Sequence, residues 1–302
     1  MTALPLSDAP RKLGKSDISV YPLAWGTWRL GGDVAAACGK VAAAREIGVT
    51  LFDTADVYGL DSGHAFGSAE SLLGEVLRAE PSWRKGMVIA TKGGIRPGTP
   101  YDNGAAYLQA ACEESLKRLG IERIDLYQIH RPDLLTHPAE AAEGLVRLKR
   151  AGKIDAVGVS NYTAAQVRAL QAWLDLPVVS HQPEFSPLHL DPLTDGVLDH
   201  AMETDMAVLA WSPLAGGRLA DMPGDGRGRA VVEELDRLAL REGVSRVSVI
   251  LAWVMAHPAR PIPIVGSQSP ERIRQFKDVF KVRLDRSDWY SVLVAARGVP
   301  LP

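Results

Sequence analysis

Four side chains far apart in the sequence have the types and settings of a proton-transfer device: Asp53, Tyr58, Lys92 and His130. Each falls at or just past the end of a short apolar run, "VTLFDTAD" for Asp53 and Tyr58, "MVIATKGG" for Lys92 and "IDLYQIH" for His130. An amine closing such a run is poorly solvated unless a charge pairs it, and Asp53 on a neighbouring run can supply that charge. A free tyrosine hydroxyl titrates at roughly 10. A nearby ammonium favours the phenolate and lowers that value, and three units would take roughly 4 kcal/mol of differential interaction. Lys92 is therefore expected to tune Tyr58 downward. His130 can hold a substrate carbonyl oxygen or share the proton. Taken singly, the Asp53–Lys92 pair could be a structural ion pair and His130 a core histidine; the four together argue for chemistry. Asp56 lies between Asp53 and Tyr58 and is expected to be solvated or turn-forming, with no role.

These residues need elements to bring them together. Eight short apolar runs, "YPLAWGTW", "VTLFDTAD", "MVIATKGG", "IDLYQIH", "IDAVGVSN", "VVSHQPEF", "AVLAWSPL" and "PIPIVGSQ", alternate with helical patterns. Most are rich in Val, Ile and Leu, as strands covered on both faces are. Leu108, Cys112, Leu116 and Leu119 form one stripe closed by Gly120. Thr163 and Gln166 have capping-box spacing, and Ser269 with Pro270 reads as an N-cap followed by N1. Eight β-then-α units predict an α/β fold, a (β/α)8 TIM barrel, as a single domain over 1–302. A doubly wound sheet would carry an early G-x-G-x-x-G turn, and none is present. "RKLGKSDISV" predicts an N-terminal β-hairpin turning near Lys15, Ser16 and Asp17 and closing one barrel end. "LDRSDWYSVLVAARG" predicts one of the extra helices. Residues 221–230, "DMPGDGRGRA", follow the seventh run and read as a candidate lid or a plain surface loop.

Barrel function sits at the C-terminal ends of the strands, where Ser160, Asn161 and Gln182 also fall. The 302 residues carry a net charge of −2, which leaves no electrostatic footprint for nucleic acid or an anionic membrane. No apolar run is long enough for a transmembrane helix and the N-terminus lacks a signal-peptide core. Cys38 and Cys112 read as free thiols, so a cytoplasmic location is expected. "GVSNY" misses the hydrolase G-x-S-x-G elbow at Tyr162, and neither HxH nor HExxH occurs. His181, Glu184 and His189 cluster in "HQPEFSPLH", where Pro183 and Pro187 predict a surface loop.

"LFDTADVYG", "IATKGG", "LYQIHRPD", "GVSNY", "LAWSPLAGG" and "PIPIVGSQSPERI", in that order over about Leu13 to Phe280, resemble the aldo-keto reductase superfamily. The resemblance implies a barrel that binds a nicotinamide nucleotide without a Rossmann fold and reduces aldehydes and ketones by hydride transfer. It implies a catalytic tetrad of Asp53, Tyr58, Lys92 and His130, with Tyr58 as general acid. It implies Ser160, Asn161 and Gln182 on the nicotinamide carboxamide, Trp211 stacked on the ring, and Ser212, Pro213 and Leu214 as a pyrophosphate belt followed by Gly216, Gly217 and Arg218. Gly26, Thr27 and Trp28 would form the cofactor floor, and Gly266, Ser267, Gln268 and Arg272 the site near the 2′-phosphate. Backbone amides and a helix N-terminus in "GSQSPERI" suit a phosphate, and the Arg272 guanidinium can fork onto one.

The chain departs from the family pattern at Gly266, where many members carry lysine, and at Phe276, where many carry asparagine against the adenine. NADPH is the expected cofactor, with NADH possible through the lost lysine. Arg131 and Pro132 follow His130 where many members have tryptophan, and the C-terminal tail is short, implying an open pocket. Trp28, Tyr58, Trp211 and Arg131 suggest an aromatic pocket with a basic rim, suited to a small-molecule carbonyl or sugar substrate. Two other readings share these residues: an NAD(P)+-dependent sugar or alcohol dehydrogenase with Tyr58 as base, and a nucleotide-binding sensor resembling potassium-channel β subunits. The oligomeric state is not legible.

Overall fold

The computed structural model describes residues 2–221 and 226–302. Residues 222–225 of the candidate lid segment lie outside the described residues. Eight parallel strands close a barrel in the order β10-β3-β4-β5-β6-β7-β8-β9: β3 (Ala24–Gly26), β4 (Leu51–Asp53), β5 (Val88–Gly93), β6 (Ile124–Ile129), β7 (Ile154–Ser160), β8 (Val178–Gln182), β9 (Ala207–Ala210) and β10 (Ile262–Val265). All eight coincide with the apolar runs, and the expected (β/α)8 class holds.

Helices follow each strand: α1 (Val34–Glu46), α2 (Ser68–Ala79), α3 (Ala105–Leu119), α4 (Pro138–Arg150), α5 (Ala164–Gln171), α6 (Val197–Thr204), α8 (Arg246–Met255) and α9 (Pro270–Gln275). Two more are additions, α7 (Gly226–Glu242) after β9 and α10 (Arg286–Arg297) at the C-terminus. They pack together through Arg241, which forks onto Asp288 at 2.7 and 2.8 Å. Local signals work as expected. Thr163 and Gln166 form a reciprocal capping box on α5, Gly120 ends α3 in the left-handed conformation, and Ser269 caps α9 with Pro270 at N1.

The N-terminal hairpin, β1 (Arg11–Lys12) with β2 (Ser19–Val20), is antiparallel. Its turn is held by Ser16 Oγ donating to the Leu13 carbonyl at 2.7 Å. Gly14 is forced by close approach, because a Cβ there would lie 2.5 Å from the Val179 carbonyl. Leu13 and Val20 thereby pack with Ala24, Leu51, Ala90, Leu126, Leu209 and Ile264 into the inner core, plugging the barrel opposite its functional face. A larger outer core lies between strands and helices.

Strand alternation then decides what reaches the mouth. Leu51 and Ala90 belong to the inner core, so Asp53 and Lys92, two residues further on, also face the lumen. Phe52 and Ile89 face the helices, and Thr91 is on that outer side with them.

Candidate active site

At the C-terminal end of the lumen Lys92 is fully buried, and its Nζ donates to Asp53 Oδ1 at 2.5 Å, to the Thr54 carbonyl at 2.9 Å and to Tyr58 Oη at 3.1 Å. All three ammonium donors are used, so the lysine cannot swing away. Asp53 Oδ2 accepts from Gln182 Nε2 at 2.9 Å and Gln128 Nε2 at 3.4 Å. The turn after β4 is tied to β5 by the Asp56 amide donating to the Lys92 carbonyl at 3.1 Å, and Tyr58 N closes onto the Ala55 carbonyl at 3.2 Å. That pinning swings Tyr58 back over Lys92, whose Nζ lies 4.8 Å from the phenol ring centroid. His130 meets the Tyr58 ring edge-on at 5.8 Å between centroids. The four sequence-predicted residues therefore converge.

The electrostatics follow from burial. The Lys92 ammonium is penalised by desolvation, but Asp53 and Tyr58 outweigh this and hold its pKa above the ordinary lysine value. Desolvation, with the Lys92 and Arg131 charges, pushes His130 well below the ordinary histidine value, so its imidazole is neutral at physiological pH. Tyr58 corrects the sequence expectation: desolvation raises its pKa, Lys92 lowers it, Asp53 raises it, and the net direction is upward. The ammonium charge is largely balanced by Asp53, so burial wins and the phenol keeps its proton.

The residues assigned to a nucleotide ring the same mouth. Ser160 Oγ donates to the Gln182 carbonyl at 2.8 Å and accepts from Asn161 Nδ2 at 2.9 Å. Asn161, in a left-handed conformation at φ 59°, also donates to the His130 carbonyl at 3.1 Å and accepts from Trp211 Nε1 at 3.0 Å. After β9 the chain passes through positive φ at Ser212, Ala215, Gly216 and Gly217, and Ser212 Oγ accepts from the Gly216 amide at 2.7 Å. This cradle includes Pro213 and Leu214. Arg218 folds back onto the Ala215 carbonyl, whereas Arg29, not foreseen, donates across the mouth to the Gly216 carbonyl at 3.1 Å.

Gly26 is a packing glycine, since a Cβ would come within 2.8 Å of Ile264. Thr27 Oγ1 and Gln268 Oε1 are buried without partners, as fits atoms awaiting a polar ligand. Gly266, Ser267 and Gln268 follow β10. The exposed Arg272 side chain makes no hydrogen bond or ion pair among the described residues, while Arg274 is paired with Glu46. Helix α9 is six residues long and Ser269 Oγ already takes the Arg272 amide, so a phosphate there would rely on the guanidinium more than on free helix amides. Phe276 is buried in the outer core and is out of play at the surface.

Two further expectations change. Asp56 lies in the turn after β4, one of its two expected settings, but its side chain is fully buried, not solvated, and neither carboxyl oxygen has a hydrogen-bond partner. The "HQPEFSPLH" stretch is not a surface loop: His181 lies on β8, buried against the helix layer, and Phe185 packs on Trp253 at 5.5 Å between ring centroids. Burial, with His200 nearby, lowers His181 to about 4. His189 and Glu184 stay partly exposed, 3.6 Å apart. A residue missed by sequence reasoning is Asp61, whose Oδ2 accepts from Trp28 Nε1 at 3.0 Å on the open rim; it lies in a single 3-10 turn, Leu60–Ser62, too short to leave a periodic signal. Among the described residues there is no group of three or more His, Cys, Asp or Glu able to hold a metal. No described helix is long and apolar enough to cross a membrane.

With this geometry in place, comparison with known proteins gives a consistent picture. A profile of the Aldo/keto reductase family matches residues 22–293. The chain is similar to a 6-dehydroglucose reductase of Novosphingobium aromaticivorans, 50% identical with 100% of both chains covered. It is similar to a 6-dehydroglucose reductase of Agrobacterium fabrum, 35% identical over 95% of this chain and 98% of that protein. Among solved structures, the glycerol dehydrogenase of Gluconobacter oxydans superposes with a TM-score of 0.85 at 28% identity, covering 98% of each chain.

Proposed function

Since this chain belongs to the aldo/keto reductase family of NAD(P)H-dependent oxidoreductases, we propose that it reduces the aldehyde of an oxidised hexose to a primary alcohol, with NADPH as reductant. The observation that carries the chemistry is the unbroken contact series Asp53–Lys92–Tyr58 beside a neutral His130. The nicotinamide, when bound, supplies the hydride to the carbonyl carbon. Tyr58 gives its proton to the carbonyl oxygen, Lys92 stabilises the phenolate left behind, and Asp53 fixes Lys92. A neutral imidazole at His130 can orient that oxygen through one N–H. Because burial keeps the Tyr58 proton in place, the resting phenol is ready to act as the acid of the reduction; in the oxidation it would first have to lose that proton.

The mouth suits the nucleotide. Ser160, Asn161 and Gln182 are placed to hold the carboxamide, Trp211 to lie against the ring, and the left-handed backbone from Ser212 to Gly217 to cradle the diphosphate. Arg272, which has no side-chain hydrogen bond or ion pair among the described residues, is the cation for the 2′-phosphate and takes the place of the lysine that Gly266 lacks. A charge-assisted hydrogen bond contributes about 1.5–3 kcal/mol, so Arg272→Leu is expected to weaken NADPH about 10- to 100-fold and to leave NADH unchanged. Titration of the variant with both nucleotides checks this, and equal losses would return the preference to the backbone.

A hexose is supported by the two relatives named 6-dehydroglucose reductase and by the rim. The half-exposed Trp28 ring, the Asp61 carboxylate and Arg131 offer an aromatic face with polar partners, as a polyol needs. The free thiols Cys38 and Cys112 suit a cytoplasmic setting. The deciding assay compares kcat/KM with NADPH for a hexose bearing a C6 aldehyde, glyceraldehyde and butanal. The hexose should lead clearly; equal values for butanal would remove sugar recognition from the proposal.

A further inference from the structure

Asp56 has no place in the chemistry above, yet it sits on the five-residue step between Asp53 and Tyr58. Its side chain is fully buried and both carboxyl oxygens lack hydrogen-bond partners. Strand alternation explains its surroundings. Lys92 points into the lumen, while Thr91 points outward and donates to the fully buried Glu70 on α2 at 2.5 Å. The other oxygen of Glu70 accepts from Arg118 Nε on α3 at 2.7 Å. Arg118 is held further by Ser115 at 3.2 Å and by the Phe66 ring at 5.7 Å.

The charges can now be counted. Three carboxyl groups, Asp53, Asp56 and Glu70, share one buried region with two cations. Lys92 is committed to Asp53 and Arg118 to Glu70. The remaining groups facing Asp56 are the Tyr107 phenol of α3 and the Tyr127 phenol of β6, with the Cys112 thiol of α3 beyond Tyr127; none of these is a cation. An ionised carboxylate with no counter-charge of its own is costly in such a place.

We infer that Asp56 is held as the uncharged carboxylic acid behind Tyr58 and is a positioning residue whose neutrality sets the acidity of Tyr58. The consequence rests on Tyr58 being the proton donor. Losing the Asp56 proton puts an unbalanced negative charge near Lys92, the ammonium that holds Tyr58, which tightens the phenol's hold on its proton and weakens it as an acid. Burial first and Glu70 second raise Asp56 well above the usual carboxyl range, against the opposing pull of Arg118, the nearby Val57 amide and Lys92. The sign for stability follows. An acid bound more tightly in the folded state contributes fully below its unfolded value of about 3.9, and that contribution is lost as pH rises through the folded value. Natural folds accept such a cost at working sites.

The test uses the full-length enzyme. The infrared C=O stretch of an unionised carboxylic acid should be present in the wild type at neutral pH and missing in Asp56→Asn. In Asp56→Asn the charge that Asp56 acquires at alkaline pH never forms, so the alkaline fall of kcat for reduction should come at lower pH than in the wild type, separating the two profiles by up to about tenfold for each unit of Tyr58 shift. Its thermal midpoint should rise relative to wild type, more at pH 8 than at pH 5. Glu70→Gln is the second arm: freeing Arg118 to pair with Asp56 should ionise it and abolish the acid band without touching Asp56. Wild-type and Asp56→Asn spectra with no difference in that band overturn the protonation. An acid band with superimposable pH profiles overturns the influence on Tyr58. Loss of turnover at every pH in Tyr58→Phe, together with the acid band, leaves the premise about Tyr58 standing.

Discussion

Tyr58→Phe is expected to lower kcat for carbonyl reduction about 10²- to 10⁴-fold, the usual contribution of a positioned general acid, while NADPH binds within about twofold of wild type. The substitution removes one oxygen, whose contact is the Lys92 ammonium at 3.1 Å. The ring remains to cover Lys92 and to meet His130 edge-on, so the mouth keeps its shape and the nucleotide its seat. Single-turnover reduction measured beside nucleotide titration separates the two effects. A variant retaining a tenth or more of wild-type kcat would pass the role of acid to His130. In the wild type the phenol is protonated throughout the neutral range because burial raises it, so kcat for reduction should be flat there and fall only on the alkaline side. A lowered phenol would instead have given a fall near neutrality.

That contrast shows where sequence reasoning reaches its end. The eight strands were legible because a strand covered on both faces must be apolar along its length, and the tetrad was legible because each member interrupts such a run at its end. Register did the rest: Gly26 pairs with Asp53, and Asp53 with Ala90, two residues before Lys92. The direction of the Tyr58 shift was not legible, since it depends on how completely water is excluded and on how much of the Lys92 charge Asp53 absorbs. The burial of Asp56 was not legible for a related reason. Its neighbours in sequence are those of a turn, but the groups that bury it, Glu70 and Arg118, arrive on two helices that pack over β5. His181 was misread because Pro183 and Pro187 suggest a loop, although the strand ends only at Gln182 and Phe185 then anchors the following segment in the core. The Trp28–Asp61 contact joins the turn after β3 to a single 3-10 turn after β4, and neither pattern nor propensity announces it.

Lys92→Met should destabilise the fold as well as stop the reaction, and the two losses can be pulled apart. Methionine fills most of the lysine volume, so little cavity results. What it removes is, among the described residues, the only cation paired with Asp53, a carboxylate with almost no exposure to solvent. Breaking a buried pair from one side costs about 3–5 kcal/mol. Gln182 and Gln128 still donate to Asp53 Oδ2, which places the expected loss at about 3 kcal/mol, the lower end of that range. The lysine's pKa is raised in the folded state, so its stabilisation is complete below the unfolded value of about 10.4 and fades only as pH rises through the folded one. At neutral pH the full loss should appear in denaturant unfolding. Adding Asp53→Asn to Lys92→Met removes the stranded charge and should restore most of the stability, since the neutral amide needs no counter-ion. Turnover should stay at the level of Lys92→Met, because Tyr58 still lacks the ammonium that stabilises its phenolate. Recovery of both in the double variant would make the ion pair a structural device and leave Tyr58 to act without it; recovery of stability alone identifies Lys92 as the group that Tyr58 needs when it gives up its proton.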